Sequence, residues 1–131
     1  MFTSSQPYSG FSVDDTDRAA DFYRSVLGLT VEQDGGMLTL RLAESTVVLV
    51  YPKGAAHTPA TFTVLNFPVA DIDAAVADLT ARGVDFVRYP TMAEYTDAAG
   101  VVRGPHGPAI AWFADPAGNV MSVIDDRPAT D

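Results

Sequence analysis

Ile110-Ala111-Trp112-Phe113-Ala114-Asp115-Pro116-Ala117-Gly118-Asn119-Val120-Met121-Ser122-Val123-Ile124 reads as two apolar strands joined by a tight turn. Asp115-Pro116 opens the turn, since proline presets φ near −65°. Gly118-Asn119 closes it with residues that tolerate positive φ. From Val120 onward the side chains alternate between two faces, so Val120, Ser122 and Ile124 share one and Met121 and Val123 the other. Ser122 is thus a small hydroxyl on a face of branched aliphatics.

Working outward, the hairpin completes a unit that occurs twice. In the first copy, Tyr8 to Val13 reads as a strand, and Asp15 is placed to cap a helix over Thr16 to Leu27. Ala19, Phe22, Tyr23, Val26 and Leu27 supply an apolar stripe, and Gly28 stands where a left-handed residue would stop the helix. Strands follow over Thr30 to Gln33, Met37 to Leu42 and Thr46 to Tyr51. Pro52 to Ala60, with its prolines and glycine and no periodicity, reads as a linker. In the second copy Phe62 to Val69 is a strand, Asp71 caps a helix from Ile72 to about Arg82, and Gly83 ends it. Val84 to Tyr89, Ile110 to Ala114 and Val120 to Asp125 are its remaining strands. Val13, Asp15, Asp17 and Ala19 recur at constant offset as Val69, Asp71, Asp73 and Ala75, so a duplication is expected.

The expectation is an α+β fold of two tandem βαβββ modules that pack together and share a cavity or core. The whole chain, 1–131, makes one such domain, with module 1 at about 8–51, the linker at 52–60 and module 2 at about 61–125. One segment breaks the repeat. Pro90 to Pro108 is a long connection carrying Tyr95, Arg103 and His106, which are placed to close over a pocket or to form a solvated loop.

Composition narrows the function. Eight Lys+Arg against 17 Asp+Glu give a net charge of −9, which argues against nucleic acid and anionic membranes as partners, since both demand a basic surface. A cationic small molecule is compatible with that charge. The absence of cysteine excludes disulfides, thiolate catalysis and cysteine-held zinc. The first residues lack the charged and apolar regions of a secretory signal, and no apolar run reaches the roughly 18 residues a membrane span needs, so a cytoplasmic location is expected. No P-loop, G-x-G-x-x-G, G-x-S-x-G or H-E-x-x-H is present.

Two stretches resemble a known family. V-x-D-x-D-R-A-x-x-F-Y-R-x-x-L-G-L, from Val13 to Leu29, and W-F-x-D-P-x-G-N, from Trp112 to Asn119, are similar to the vicinal oxygen chelate superfamily. That superfamily includes glyoxalase I, bleomycin-resistance proteins, fosfomycin-resistance enzymes and extradiol dioxygenases. The resemblance implies a pair of U-shaped sheets with a ligand or metal in the concavity, and commonly a homodimer. Metal-using members carry a His, Gln or Glu on the first strand of each unit and a Glu on the last strand, in the pattern G-N-x-x-E. The matching positions here are Tyr8, Val64 and Ser122, with a counterpart near Val48 or Leu49. A phenol with a pKa near 10 is a poor ligand, valine is none, and a neutral hydroxyl offers little. His57 and His106 lie off the expected strands. No metal and no other cofactor is therefore expected.

Strand parity nominates cavity-lining residues: Tyr8, Phe62, Val64, Asn66 and Ser122, with Arg41 from the third strand and Tyr51, Tyr95, His106 and Trp112 at the rim. The same residues could instead fill the core. The reading is a metal-independent binder of the bleomycin-resistance type, giving resistance by sequestering a hydrophobic or aromatic natural product or metabolite. The alternative is a lyase, isomerase or dioxygenase of the glyoxalase kind with a nonstandard or absent metal site.

Overall fold

A computed structural model of the chain describes residues 1–105 and 107–127. It contains two four-stranded mixed sheets, and the chain divides into two compact units, Met1–Pro59 and Ala60–Asp131. No helix among the described residues is long and apolar enough to cross a membrane.

The first unit runs β1 (Ser9–Val13), α1 (Thr16–Asp21), β2 (Thr30–Asp34), β3 (Met37–Arg41) and β4 (Val47–Pro52), in the sheet order β1-β4-β3-β2. β1 pairs parallel to β4, and the remaining pairs are antiparallel. Asp15 caps α1 as expected, its carboxylate accepting from the N–H groups of Asp17 and Arg18 at 2.9 and 3.2 Å. The expected single helix is instead two kinds of turn. After α1 the chain widens into a π-helical segment, Phe22–Val26, closed by Leu27 N–H donating to Phe22 C=O at 3.1 Å. Within it Tyr23 is fully buried, packed edge-on against Phe11 and Phe22 with ring centroids 6.2 and 5.3 Å away. The core comprises Tyr23, Ala19 and Ala20 from the helical segment and Phe11, Val13, Leu38, Leu40, Val48 and Val50 from one face of the sheet.

The second unit runs β5 (Thr63–Val69), α2 (Ile72–Ala81), β6 (Phe86–Val87), β7 (Ile110–Ala114) and β8 (Val120–Asp125), in the order β5-β8-β7-β6. Asp71 caps α2 by accepting from Ala74 N–H at 3.0 Å. The helix ends in a Schellman motif: Gly83, at φ 91°, donates to Thr80 C=O and Val84 N–H to Leu79 C=O. Ile72, Val76 and Leu79 of α2, with Val84, and Ala111, Phe113, Met121 and Val123 of the sheet form the core.

Three expectations change. The strand expected over Val84 to Tyr89 contracts to Phe86–Val87. β5 carries a bulge: Thr63 stands opposite Val120 and Leu65 opposite Met121, so Val64 is an extra residue and the regular alternation of Phe62, Val64 and Asn66 fails. Thr63 and Asn66 therefore share the face of Val120 and Ser122. In the hairpin, Gly118 takes positive φ, 85°, but Asn119 does not. Asn119 is there for its side chain. Buried Asp115 accepts from the N–H groups of Ala117 and Asn119 and from Asn119 Nδ2, while Asn119 Oδ1 receives Ala60 N–H at 3.0 Å.

The long connection is a bonded structure. Pro90–Tyr95 forms 3₁₀ turns, and Val102 bridges to Thr96 on one side and Ile110 on the other. Asp97 accepts from Ala99 and Val101 N–H and, at 3.4 Å, from Arg103 Nε. Burial raises the Asp97 pKa, but the N–H groups of Val101 and Ala99 and the Arg103 guanidinium outweigh it, and the net shift is downward. Arg88 donates to the carbonyls of Asp97 and Ala98, and Arg103 pairs with Asp73 of α2.

Candidate functional site

Each sheet covers one face with its helix and presents the other. In the first unit the presented face carries Gly10 and Ser12 from β1, Thr39 and Arg41 from β3, and Val47, Leu49 and Tyr51 from β4, by the register of the pairs. Tyr8, Thr39, Val47, Val48 and Leu49 line a depression of about 220 Å³. At Gly10 a Cβ would lie 3.2 Å from Leu49 C=O, tighter than most side-chain contacts, and 3.7 Å from the Tyr51 ring, an ordinary contact. Tyr51 thus lies against bare backbone. Next to it Ser12 Oγ stands 2.8 Å from His57 Nδ1, which draws a linker residue onto the sheet. His57 is half-buried. Arg41 spends its charge on Glu32 of β2, and that hydrogen bond holds the Glu32 carboxyl below its ordinary pKa.

In the second unit Asn66, Ser122 and Trp112 stand side by side on three adjacent strands. Ser122 is fully buried, and its hydroxyl donates to Asn66 Oδ1 at 2.6 Å. Trp112 Nε1 donates to Thr63 Oγ1 at 3.1 Å. Thr63 lies on β5, two strands from β7, a distance of roughly 9.5 Å at ordinary strand spacing. The indole can reach it only by lying across β8, on the face that carries Ser122. Tyr89 meets the indole edge-on, with centroids 5.3 Å apart at 84°. The indole is thus held at its nitrogen and against a second ring, a preorganised apolar wall.

A family model described as Glyoxalase/Bleomycin resistance protein/Dioxygenase superfamily matches residues 6–123. The chain belongs to this superfamily. Among solved structures, the antibiotic binding protein TnmS3 from Streptomyces sp. CB03234 is 21% identical, with a TM-score of 0.65 over 94% of this chain and 98% of that one. Lactoylglutathione lyase from Agrobacterium tumefaciens is 20% identical, with a TM-score of 0.67 over 93% and 94%. A superfamily member from Sphaerobacter thermophilus DSM 20745 is 23% identical, with a TM-score of 0.68 over 94% and 99%. No curated protein sequence matches the chain significantly. These likenesses establish the fold, which carries several chemistries.

The superfamily's metal can be tested against the donors present. A divalent ion wants three or four N/O ligands at one point. Among the described residues no three His, Cys, Asp or Glu side chains converge. At the last-strand position the Ser122 proton goes to Asn66, and on β5 the bulge puts Thr63, already accepting from Trp112, where an alternating strand would put Val64. These residues do not fit the metal.

Of the residues nominated from sequence, Tyr8, Arg41 and Tyr51 are brought together with the first sheet's presented face, and Asn66, Ser122 and Trp112 form one row on the second. Val64 sits at the bulge, exposed Phe62 precedes β5, and Tyr95 lies in the 3₁₀ segment, half its surface covered. His106 lies outside the described residues. Arg103, placed by the sequence either over a pocket or in a solvated loop, is tied to α2 and Asp97. Sequence reasoning missed Thr63, Tyr89 and the Ser12–His57 pair. A Thr beside a strand start and a Tyr ahead of Pro90 carry no local signal of an indole between them.

Proposed function

We propose that this chain binds a small hydrophobic or aromatic molecule, a natural product or metabolite, without a metal, and acts by sequestering it. Solved structures of this fold include both an antibiotic binding protein and a lactoylglutathione lyase, so the choice rests on the site's chemistry. The observation that carries the reading is the Asn66–Ser122–Trp112 row. Where metal-using relatives carry a carboxylate, the serine is buried and bonded to its neighbour beneath a fixed indole. A surface of that kind stacks planar molecules and excludes water, and it leaves nothing to polarise a bond. Pairing of two chains belongs to the same proposal.

The test is metal analysis of protein purified without chelator, with a thermal-shift series over Zn²⁺, Ni²⁺, Mn²⁺ and Fe²⁺. The proposal expects substoichiometric metal and a midpoint unchanged by any of the four. Stoichiometric metal with several degrees of stabilisation, lost in His106→Ala, overturns it.

A second reading, an enzyme on the same scaffold that needs no metal, draws on the Ser12–His57 contact, a hydroxyl and an imidazole within hydrogen-bond reach as nucleophilic catalysis requires. It requires a turnover that His57→Gln abolishes while the fold persists.

A further inference from the structure

We infer that Asn66 selects the ligand by reading a neutral carbonyl-type oxygen on a planar aromatic molecule stacked against Trp112; this rests on the small-molecule reading above. A carboxamide has one oxygen acceptor and an NH₂ with two donors. Ser122 is fully buried in β8, between β5 and β7, and gives its proton to Asn66 Oδ1 at 2.6 Å. The amide is turned to accept that proton. Its oxygen faces the serine and its nitrogen points outward from an exposed residue, with no partner among the described residues.

The neighbouring indole has no donor left to offer, because Nε1 is spent on Thr63. The row therefore presents an aromatic face flanked by the outward amide N–H donors, with no carboxylate and no cation in it. Its complement is a flat ring system carrying an oxygen acceptor at its edge. The net charge of −9 disfavours an anionic acceptor, so a neutral ketone, quinone or lactone fits better than a carboxylate. Ser122 is the positioning residue and Asn66 the contact.

The chain has a single tryptophan, so its emission reports on this row alone. The probes are 9-fluorenone and fluorene, one tricycle with a carbonyl and with a methylene in its place. Wild-type protein is expected to bind fluorenone about five- to tenfold more tightly, the worth of one net hydrogen bond. In Asn66→Ala the two probes bind alike, and in Asn66→Asp, which replaces donors by acceptors, fluorenone loses its advantage or becomes the weaker. Ser122→Ala lowers the ratio of fluorenone to fluorene affinity, whereas mere loss of packing weakens both probes alike and leaves that ratio unchanged. Circular dichroism checks each variant's fold, and if Ser122→Ala does not fold, the two Asn66 variants decide. Equal binding of both probes to wild type, or a preference that survives Asn66→Ala, overturns the selection by Asn66 and leaves the binder reading standing. If neither probe alters the emission, both fall.

Discussion

Asp115 and Asn119 are almost wholly buried, and their chemistry holds the β7–β8 hairpin and the start of the second unit together. Asp115→Ala removes the carboxylate that accepts from two backbone N–H groups and the Asn119 amide, and a loss of about 3 kcal/mol in urea unfolding is expected. Asp115→Asn, which retains one acceptor, is expected to lose less. Asp125 is held down to about 2, chiefly by hydrogen bonds from the Arg127 side chain and backbone, and Asp97 is also lowered. A depressed carboxylate contributes stability above its unfolded pKa, near 4, and that contribution disappears as pH falls through the folded value. Thermal midpoints are therefore expected to decline between pH 4 and about 2 from this cause, less steeply in Arg127→Ala. At this scale the sequence was half legible. That Asp-Pro and Gly-Asn make a turn is local chemistry, whereas the bond from Ala60 to Asn119 joins distant residues and has no local sign.

Among the elements, caps and stops were readable because they depend on a few adjacent residues: Asp15, Asp71 and Gly83 do what their positions imply. The bulge at Val64 was not, because register belongs to the pairing of β5 with β8 and not to either strand alone. That one residue replaces Val64 by Thr63 on the presented face and gives Trp112 its anchor. The π-helical turn escaped for a similar reason: its stripe of Phe22, Tyr23 and Val26 suits either helix, and the packing of Tyr23 on Phe11 accompanies the wider one. Two glycines separate conformational from steric cost. At Gly83, φ 91°, a Cβ meets nothing within 4 Å, so Gly83→Ala is expected to cost only the left-handed penalty, about 1–2 kcal/mol. At Gly100, φ 100°, a Cβ would also stand 3.0 Å from Phe86 Cβ. Gly100→Ala is expected to lose clearly more in the same denaturation series, and equal losses would contradict the close approach of the long connection to β6.

For the molecule as a whole, the repeated V-x-D motif and the paired stop glycines made the duplication visible, and each copy folds as four strands and a helix. What the scaffold does is not a property of its topology. It turns on which side chains stand on the sheet faces away from the helices, and there the second sheet places an indole, an amide and a buried hydroxyl side by side, while among the described residues no three His, Cys, Asp or Glu side chains converge. The direct measurement is a titration of chelator-stripped protein with a planar aromatic ketone, followed by Trp112 emission and repeated after adding back Zn²⁺, Mn²⁺ or Fe²⁺. The account predicts a saturable change of the same affinity in every sample, greatly weakened in Trp112→Ala when followed by calorimetry. Binding that appears only once a metal is restored would contradict it.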